Sequence, residues 1–335
     1  MTAPVLVTGG RGFLGGALVT RLLEQGRRVR SFSRGAAPEL AEAGVEVHRG
    51  DLGDATAVDR AVDGCELVFH VAAKAGVWGA AADYERANVE GTRHVLDACR
   101  HHGVQRLVFT SSPSVTFGGR DQDGVDEAEP YPPSYLAHYP RTKAEAEQLV
   151  IDAASDELAT VSLRPHLIWG PGDPHLVPRI IDRARHDKLR LIDGSRKLVD
   201  WTSIHDAARA HLLAAEKLEP GTAPSGRAYF ISSGAPLPMA DLINAILSAA
   251  EEPPVKKSLP AWLARVAGAV LETGYGLAKR VDEPPLTRFV AAQLATAHWF
   301  RLDAARRDFG YEPEVDLEAA VVELAESLGT GDASA

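Results

Sequence analysis

The sequence predicts an α/β fold, a doubly wound parallel sheet with a smaller C-terminal lobe. Three observations predict it. The first half alternates short apolar runs with helical stretches, which calls for a parallel sheet covered on both faces. The first apolar run leads directly into a glycine-rich turn that opens a helix, "VLVTGGRGFLGG". After Pro165 the texture changes, and loops rich in Gly and Pro take over ("WGPGDPH", "EPGTAPSG", "SSGAPLP").

Residues 5–7 read as a buried strand and 13–25 as the helix after it, closed by Gly26. Further strands are expected at 29–32, 45–48, 67–72, 107–110 and 161–163, and helices near 55–62, 84–102 and 142–154. Residues 1–165 then make the first domain. The stretch 199–217, "VDWTSIHDAARAHLLAAEK", returns to it as strand and helix. Residues 166–198 and 218–330 form the lobe, and the tail "GTGDASA" reads as frayed.

The bulk numbers exclude some functions. A net charge of −10 argues against nucleic-acid binding through phosphates. Cys65 and Cys99 lie in apolar patterned segments and read as buried thiols, which fits a reducing, cytoplasmic compartment. The N-terminus lacks the pattern of a signal peptide, and no apolar run is long enough to span a membrane.

The glycine turn carries the first chemistry. Gly9, Gly12 and Gly15 are spaced G-x-x-G-x-x-G between strand and helix. Gly9 allows the turn, Gly12 lets backbone approach a pyrophosphate, and Gly15 packs helix on sheet, with the amides of Phe13 and Leu14 at the helix N-terminus. This predicts a Rossmann-type dinucleotide site. The second strand ends "VRSFSRG", with Ser33 where an NAD site has its acid. Ser33, Arg34 and the loop residue Arg11 favour the 2′-phosphate of NADP(H) over NAD(H).

Lys143 follows Tyr139 by four residues, so a helix puts both on one face. Pro140 suits the first helical turn. A nearby ammonium is expected to lower the pKa of the phenol, so that Tyr139 exchanges a proton with a carbonyl oxygen. Ser111 and Ser112 stand at a strand end, where a hydroxyl can bind the same oxygen. Tyr131 and Tyr135 precede Pro140 in a Pro-broken loop and read as packing or pocket wall.

With "TGGRGFLG", "GDL", "NVEGT", "TSSPSV", "YPRTK" and "LRPHLIWGPGD" in this order, the chain resembles the extended short-chain dehydrogenase/reductase family over nearly its whole length. The resemblance implies Ser112, Tyr139 and Lys143 as the catalytic set, with Asn88 supporting it. It implies Asp51 on the adenine amino group, Leu52 against the ring, and Ala72, Ala73 and Lys74 along the cofactor. It also brings Pro165, Leu167 and Ile168 towards the nicotinamide. Pro113 and Ser114 replace the acid pair of sugar-nucleotide dehydratases, and Ser33 argues against epimerases. "HVAAKAGVWG" and "LRPHLIWGPGDPHLVPRI" resemble the 3β-hydroxysteroid dehydrogenase branch, and within it the bacterial 2-alkyl-3-oxoalkanoate reductases of long-chain olefin biosynthesis. That implies NADPH-dependent reduction of a 3-keto group on an apolar keto acid. A steroid alcohol, a nucleotide sugar, or a non-catalytic role are the competing readings. The family also implies a homodimer through 84–102 and 142–154.

Substrate contacts are expected from Lys74, Trp78, Ser114 and Trp169. Lys74 reads either as a holder of a substrate carboxylate or as a solvated loop lysine. The apolar helical stretch 259–278 is either a packing helix or a cap over an apolar tunnel that touches a membrane or a partner enzyme. No histidine shows metal-ligand spacing, and no metal is expected.

Overall fold

The computed structural model describes residues 3–331. Seven strands form the main sheet: β1 (Val5–Thr8), β2 (Val29–Ser33), β3 (Glu46–Arg49), β4 (Leu67–His70), β5 (Arg106–Thr110), β6 (Ala159–Pro165) and β7 (Arg227–Ile231). Their order is β7-β6-β5-β4-β1-β2-β3, and every pairing is parallel. The inner strands β1, β4 and β6 are buried at every residue, as continuous apolar runs covered on both faces must be. The edge strand β3 is polar, with Glu46, His48 and Arg49 partly or fully exposed.

The helices in chain order are α1 (Phe13–Glu24), α2 (Pro38–Glu42), α3 (Ala55–Val62), α4 (Ala81–Tyr84), α5 (Gly91–His101), α6 (His138–Asp152), α7 (Leu176–Arg185), α8 (Ile204–Lys217), α9 (Met239–Ala249), α10 (Ala261–Leu277), α11 (Arg288–Ala295), α12 (Asp303–Phe309) and α13 (Leu317–Gly331). Leu18 and Leu22 of α1 and Ala207 and Ala210 of α8 cover one face of the sheet. Val58, Leu96 and Val150, from α3, α5 and α6, cover the other. The lobe has its own core, in which α7, α9 and α13 close over Trp169 and Trp201. Cys65 and Cys99 are free and buried, and burial pushes the Cys65 thiol up to about 11.

Four expectations change. β7 comes from the stretch assigned to the lobe; "RAYFI" pairs with β6 from Arg227 beside Val161 to Ile231 beside Pro165 and completes the sheet. The helix expected over 84–102 is interrupted by a π-helical turn, Glu85–Glu90. Helix α6 starts at His138, before residue 142. In the tail read as frayed, α13 continues to Gly331, and residues 332–335 lie outside the described residues. From 199–217, α8 does pack on the main sheet, while Thr202–Ser203 pairs with the short strand Ile168–Trp169.

Candidate active site

A parallel sheet places the C-terminal ends of all its strands along one edge. The residues singled out from the sequence follow those ends: Gly9 to Gly15 after β1, Ser33 and Arg34 at β2, Asp51 and Leu52 after β3, Ala72 to Lys74 after β4, Ser112 and Ser114 after β5, and Leu167 to Trp169 after β6.

The β1 turn fits a pyrophosphate. Gly9 has φ +74°, and a Cβ there would meet Ala72 Cα at 3.0 Å. A Cβ on Gly15 would lie 2.1 Å from the Gly9 carbonyl oxygen. Gly12 caps α1 without a side-chain hydrogen bond, and the first turn holds no acid, so the helix N-terminus presents free N–H groups. The side chains of Phe13 and Leu14 pack into the core, which leaves their amides for a ligand. The Arg11 guanidinium lies over Gly35, directly after Ser33 and Arg34, and forms an ion pair with Glu39 at 3.5 Å. Arg34 is exposed. Asp51 Oδ1 accepts from the Gly53 amide at 2.9 Å, and Oδ2 lies 3.7 Å from Arg86. Leu52 is buried against Gly91.

Ser112 caps the short 3₁₀ turn Pro113–Thr116. Its Oγ accepts from the Ser114 amide at 3.2 Å and lies 2.9 Å from Ser114 Oγ. Tyr139 enters α6 beside it. Burial raises the phenol above its ordinary value of 10.0, and a hydrogen bond with Ser112 pulls the other way. Lys143, one turn on, is buried; its Nζ donates to the Thr110 carbonyl at 2.6 Å and stands 3.8 Å over the Phe109 ring. Burial brings this amine down to about 7, against the opposing pull of Glu147. The expected lowering of Tyr139 is therefore reversed: desolvation dominates the phenol, and the Lys143 amine is drawn towards β5. Ser111 is not the aligned hydroxyl. Its Oγ is buried without a hydrogen-bond partner among the described residues, and its amide is tied to Leu163.

Asn88 sits in the π-helical turn, a distortion that recurs at functional sites. Its Oδ1 accepts from the Lys74 amide at 2.7 Å, and its Nδ2 donates to the Lys74 carbonyl at 3.1 Å and to Thr142 Oγ1 at 3.0 Å. One amide thus ties the loop after β4 to the helix that carries Tyr139. A string of polar side chains, missed in the sequence, runs behind it. Thr8 Oγ1 accepts from the Val71 and Ala72 amides and lies 2.9 Å from His70 Nδ1. Thr92 spends its proton on the Asn88 carbonyl, so His70 Nε2 must donate to Thr92 Oγ1, 3.0 Å away. His70 is then the neutral Nε2–H tautomer, which matches its fall to about 3 through burial and the nearby Lys143. Polar residues at the ends of otherwise apolar strands, "LVTGG" and "LVFHVA", are the signal that points to it.

The remaining candidates are placed as follows. Trp169 is fully buried against Trp201 in the lobe core, with ring centroids 5.4 Å apart. Alternation along Ile168–Trp169 turns Ile168 to the main core and Trp169 to the lobe. Leu167 packs against the lobe core and, like Ile168, stays half-buried. Trp78 turns to the lobe, where its Nε1 donates to the Arg280 carbonyl at 3.1 Å and its ring meets Tyr275 edge-on. Lys74 forms an ion pair with Asp83 at 3.6 Å and lies over the Tyr84 ring. Tyr131 donates to Glu147 and Tyr135 to the Val115 carbonyl, so both serve as structure. On the far side, Asp59 brings His101 and His102 together at 2.9 and 3.0 Å, with potential ligand atoms within 4.8 Å of one another. Sequence spacing hides this cluster because Asp59 comes from a different helix.

Residues 6–260 match the model of the 3-beta hydroxysteroid dehydrogenase/isomerase family. The chain is 52% identical to a 2-alkyl-3-oxoalkanoate reductase of Stenotrophomonas maltophilia, over 96% of this chain and 98% of that one. A protein of the same name from Shewanella oneidensis is 47% identical, over 96% of this chain and 85% of that one. Among solved structures, MoeE5 in complex with UDP-glucose and NAD superposes with a TM-score of 0.76 at 25% identity, over 98% of this chain and 99% of that one.

Proposed function

The chain belongs to the 3-beta hydroxysteroid dehydrogenase/isomerase family, and we propose that it reduces the 3-keto group of a 2-alkyl-3-oxoalkanoate to a hydroxyl, reversibly, with NADPH. The observation that carries the substrate is the 52% identity, end to end, with the reductase of S. maltophilia. The reading places this step in long-chain olefin biosynthesis. A 3β-hydroxysteroid oxidation is the second reading, favoured by the family's own description.

When bound, a reduced nicotinamide supplies the hydride. The chain supplies the rest. Ser112 and Tyr139 donate hydrogen bonds to the keto oxygen and orient it. Burial keeps the Tyr139 phenol protonated at neutral pH, as a general acid requires, and the phenol passes its proton to the oxygen as the hydride reaches carbon. Ser112 then hydrogen-bonds the phenolate, and the Lys143 amine, when protonated, offsets its charge. Asn88 fixes the Lys74 loop against α6 while this happens.

For NADPH over NADH, the support is Arg11 lying over Gly35 beside Arg34, with no acid at Ser33. Lys74 is the residue we assign to a substrate carboxylate, with Asp83 as the partner it exchanges; Lys74→Ala should raise KM for the acid. We assign the substrate to the lobe, 166–198 and 218–330 without β7. The deciding experiment follows NADPH oxidation over 2-alkyl-3-oxo acids of graded length, beside a 3β-hydroxysteroid with NADP+. Turnover of the steroid alone would overturn the first reading.

A further inference from the structure

Helix α10 carries an apolar face that nothing among the described residues covers. Its inner seam is made by Ala264 and Gly268, which are buried on α11; a Cβ on Gly268 would meet Thr287 backbone at 2.9 Å. The outer face repeats at helical spacing through Trp262, Leu263, Val266, Val270 and Leu277. Trp262 is 67% exposed, Val270 65% and Leu277 83%, and Val281 follows at 93%. Arg265 and Glu272, the helix's two charges, flank this face, and Glu272 is occupied by Arg288. So large a contiguous apolar face on one helix marks an interaction surface.

The charge around it selects the partner. Within 256–283 stand five cations, Lys256, Lys257, Arg265, Lys279 and Arg280, against three carboxylates, Glu272, Asp282 and Glu283, each of them held by an arginine. The chain as a whole carries −10. Lys257 and Arg280 pair with Asp187 and Asp282, while Lys256, Arg265 and Lys279 make no ion pair among the described residues. A basic rim around an apolar stripe with a tryptophan suits the headgroup region of an anionic bilayer. Helix α10 has 17 residues, and no helix of the described residues is long and apolar enough to cross a bilayer.

We propose that the outer face of α10 docks the protein on an anionic lipid surface. The far end of the helix touches the loop after β4: Trp78 hydrogen-bonds the Arg280 carbonyl and its ring meets Tyr275. Docking therefore sets the bilayer next to the loop that carries Lys74. Delivery of an alkyl-chain substrate by this route rests on the proposed function; the docking itself does not.

Flotation of the full chain with phosphatidylcholine vesicles, with and without phosphatidylglycerol, tests it. The protein should float with the anionic vesicles and far less with the neutral ones. Val266→Asp with Val270→Asp should lower the floated fraction roughly tenfold. Lys256→Glu with Lys279→Glu should lower it with anionic vesicles only. Wild-type protein that stays down with both vesicles, or an aspartate variant that floats as well as wild type, overturns the docking. So does a mass by light scattering that halves in the aspartate variant without any flotation, which would make the face a seam between two copies. Turnover of a short, water-soluble 3-oxo acid should be unchanged in the aspartate variant. If neither protein turns it over, the proposed reaction fails while flotation still decides the docking.

Discussion

Glu147 grips Arg164 through two hydrogen bonds, Oε2 from Nε at 2.9 Å and Oε1 from Nη2 at 2.6 Å, with both side chains buried. Tyr131 adds a third bond to the same carboxylate, and Glu147 lies one turn beyond Lys143. A buried pair of this kind is costly to break and cheap to replace. Glu147→Leu alone should lose about 3–5 kcal/mol, because it strands the guanidinium. Glu147→Leu with Arg164→Met should recover most of that in urea denaturation. Equal losses in the two variants would show that the pairing is not the source.

Tyr139→Phe removes the proposed acid and one hydrogen bond to the keto oxygen. Turnover should fall by about 10²–10⁴, while NADPH binding, read by its fluorescence, persists. A variant that keeps its kcat would refute the role.

Asn88→Ala leaves the Lys74 amide and carbonyl and the Thr142 hydroxyl short of partners. Stability should drop by about 1–3 kcal/mol. KM for a carboxylate substrate should rise more than kcat falls, since the change frees the loop and leaves Tyr139 in place. A loss confined to kcat would argue against the positioning role.

Lys143 stands near 7 when folded, against an ordinary 10.5. Between those values the unfolded chain binds the extra proton, so this group makes stability rise with pH across that window. The slope is at most about 1.4 kcal/mol per pH unit. Denaturation of wild type and Lys143→Met at pH 7 and 9 should show the slope in wild type only.

Arg11→Ala with Arg34→Ala should lower kcat/KM for NADPH well over tenfold, on the scale of about 1–3 kcal/mol for charge-assisted bonds to phosphate. NADH should hardly change. Equal losses with both cofactors would remove the 2′-phosphate assignment.

Much of the sheet was legible because buried parallel strands must be apolar: β1, β4 and β5 stand out as "VLVT", "LVFH" and "RLVFT". "YPRTK" displayed the start of α6 and the shared face of Tyr139 and Lys143, since both depend only on local spacing. What stayed hidden depends on distant partners. β7 is apolar but lies among Gly and Pro loops, and only its pairing with β6 makes it sheet. Trp169 looked like pocket wall until its pairing beside Thr202–Ser203 turned the ring inward. The Lys143 amine goes to a carbonyl at the end of β5, which helical spacing alone does not reveal.

The interleaving of the two parts has a consequence for synthesis and for engineering. Neighbouring strands β6 and β7 are separated by the whole of 166–226, so the sheet stays unfinished until the ribosome has delivered Ile231. Until then β6 offers a bare hydrogen-bonding edge, the kind that recruits other chains. A nascent chain arrested after α8 should clump, and a clean exchange of lobes between relatives needs crossovers on both sides of α8 and again on both sides of β7.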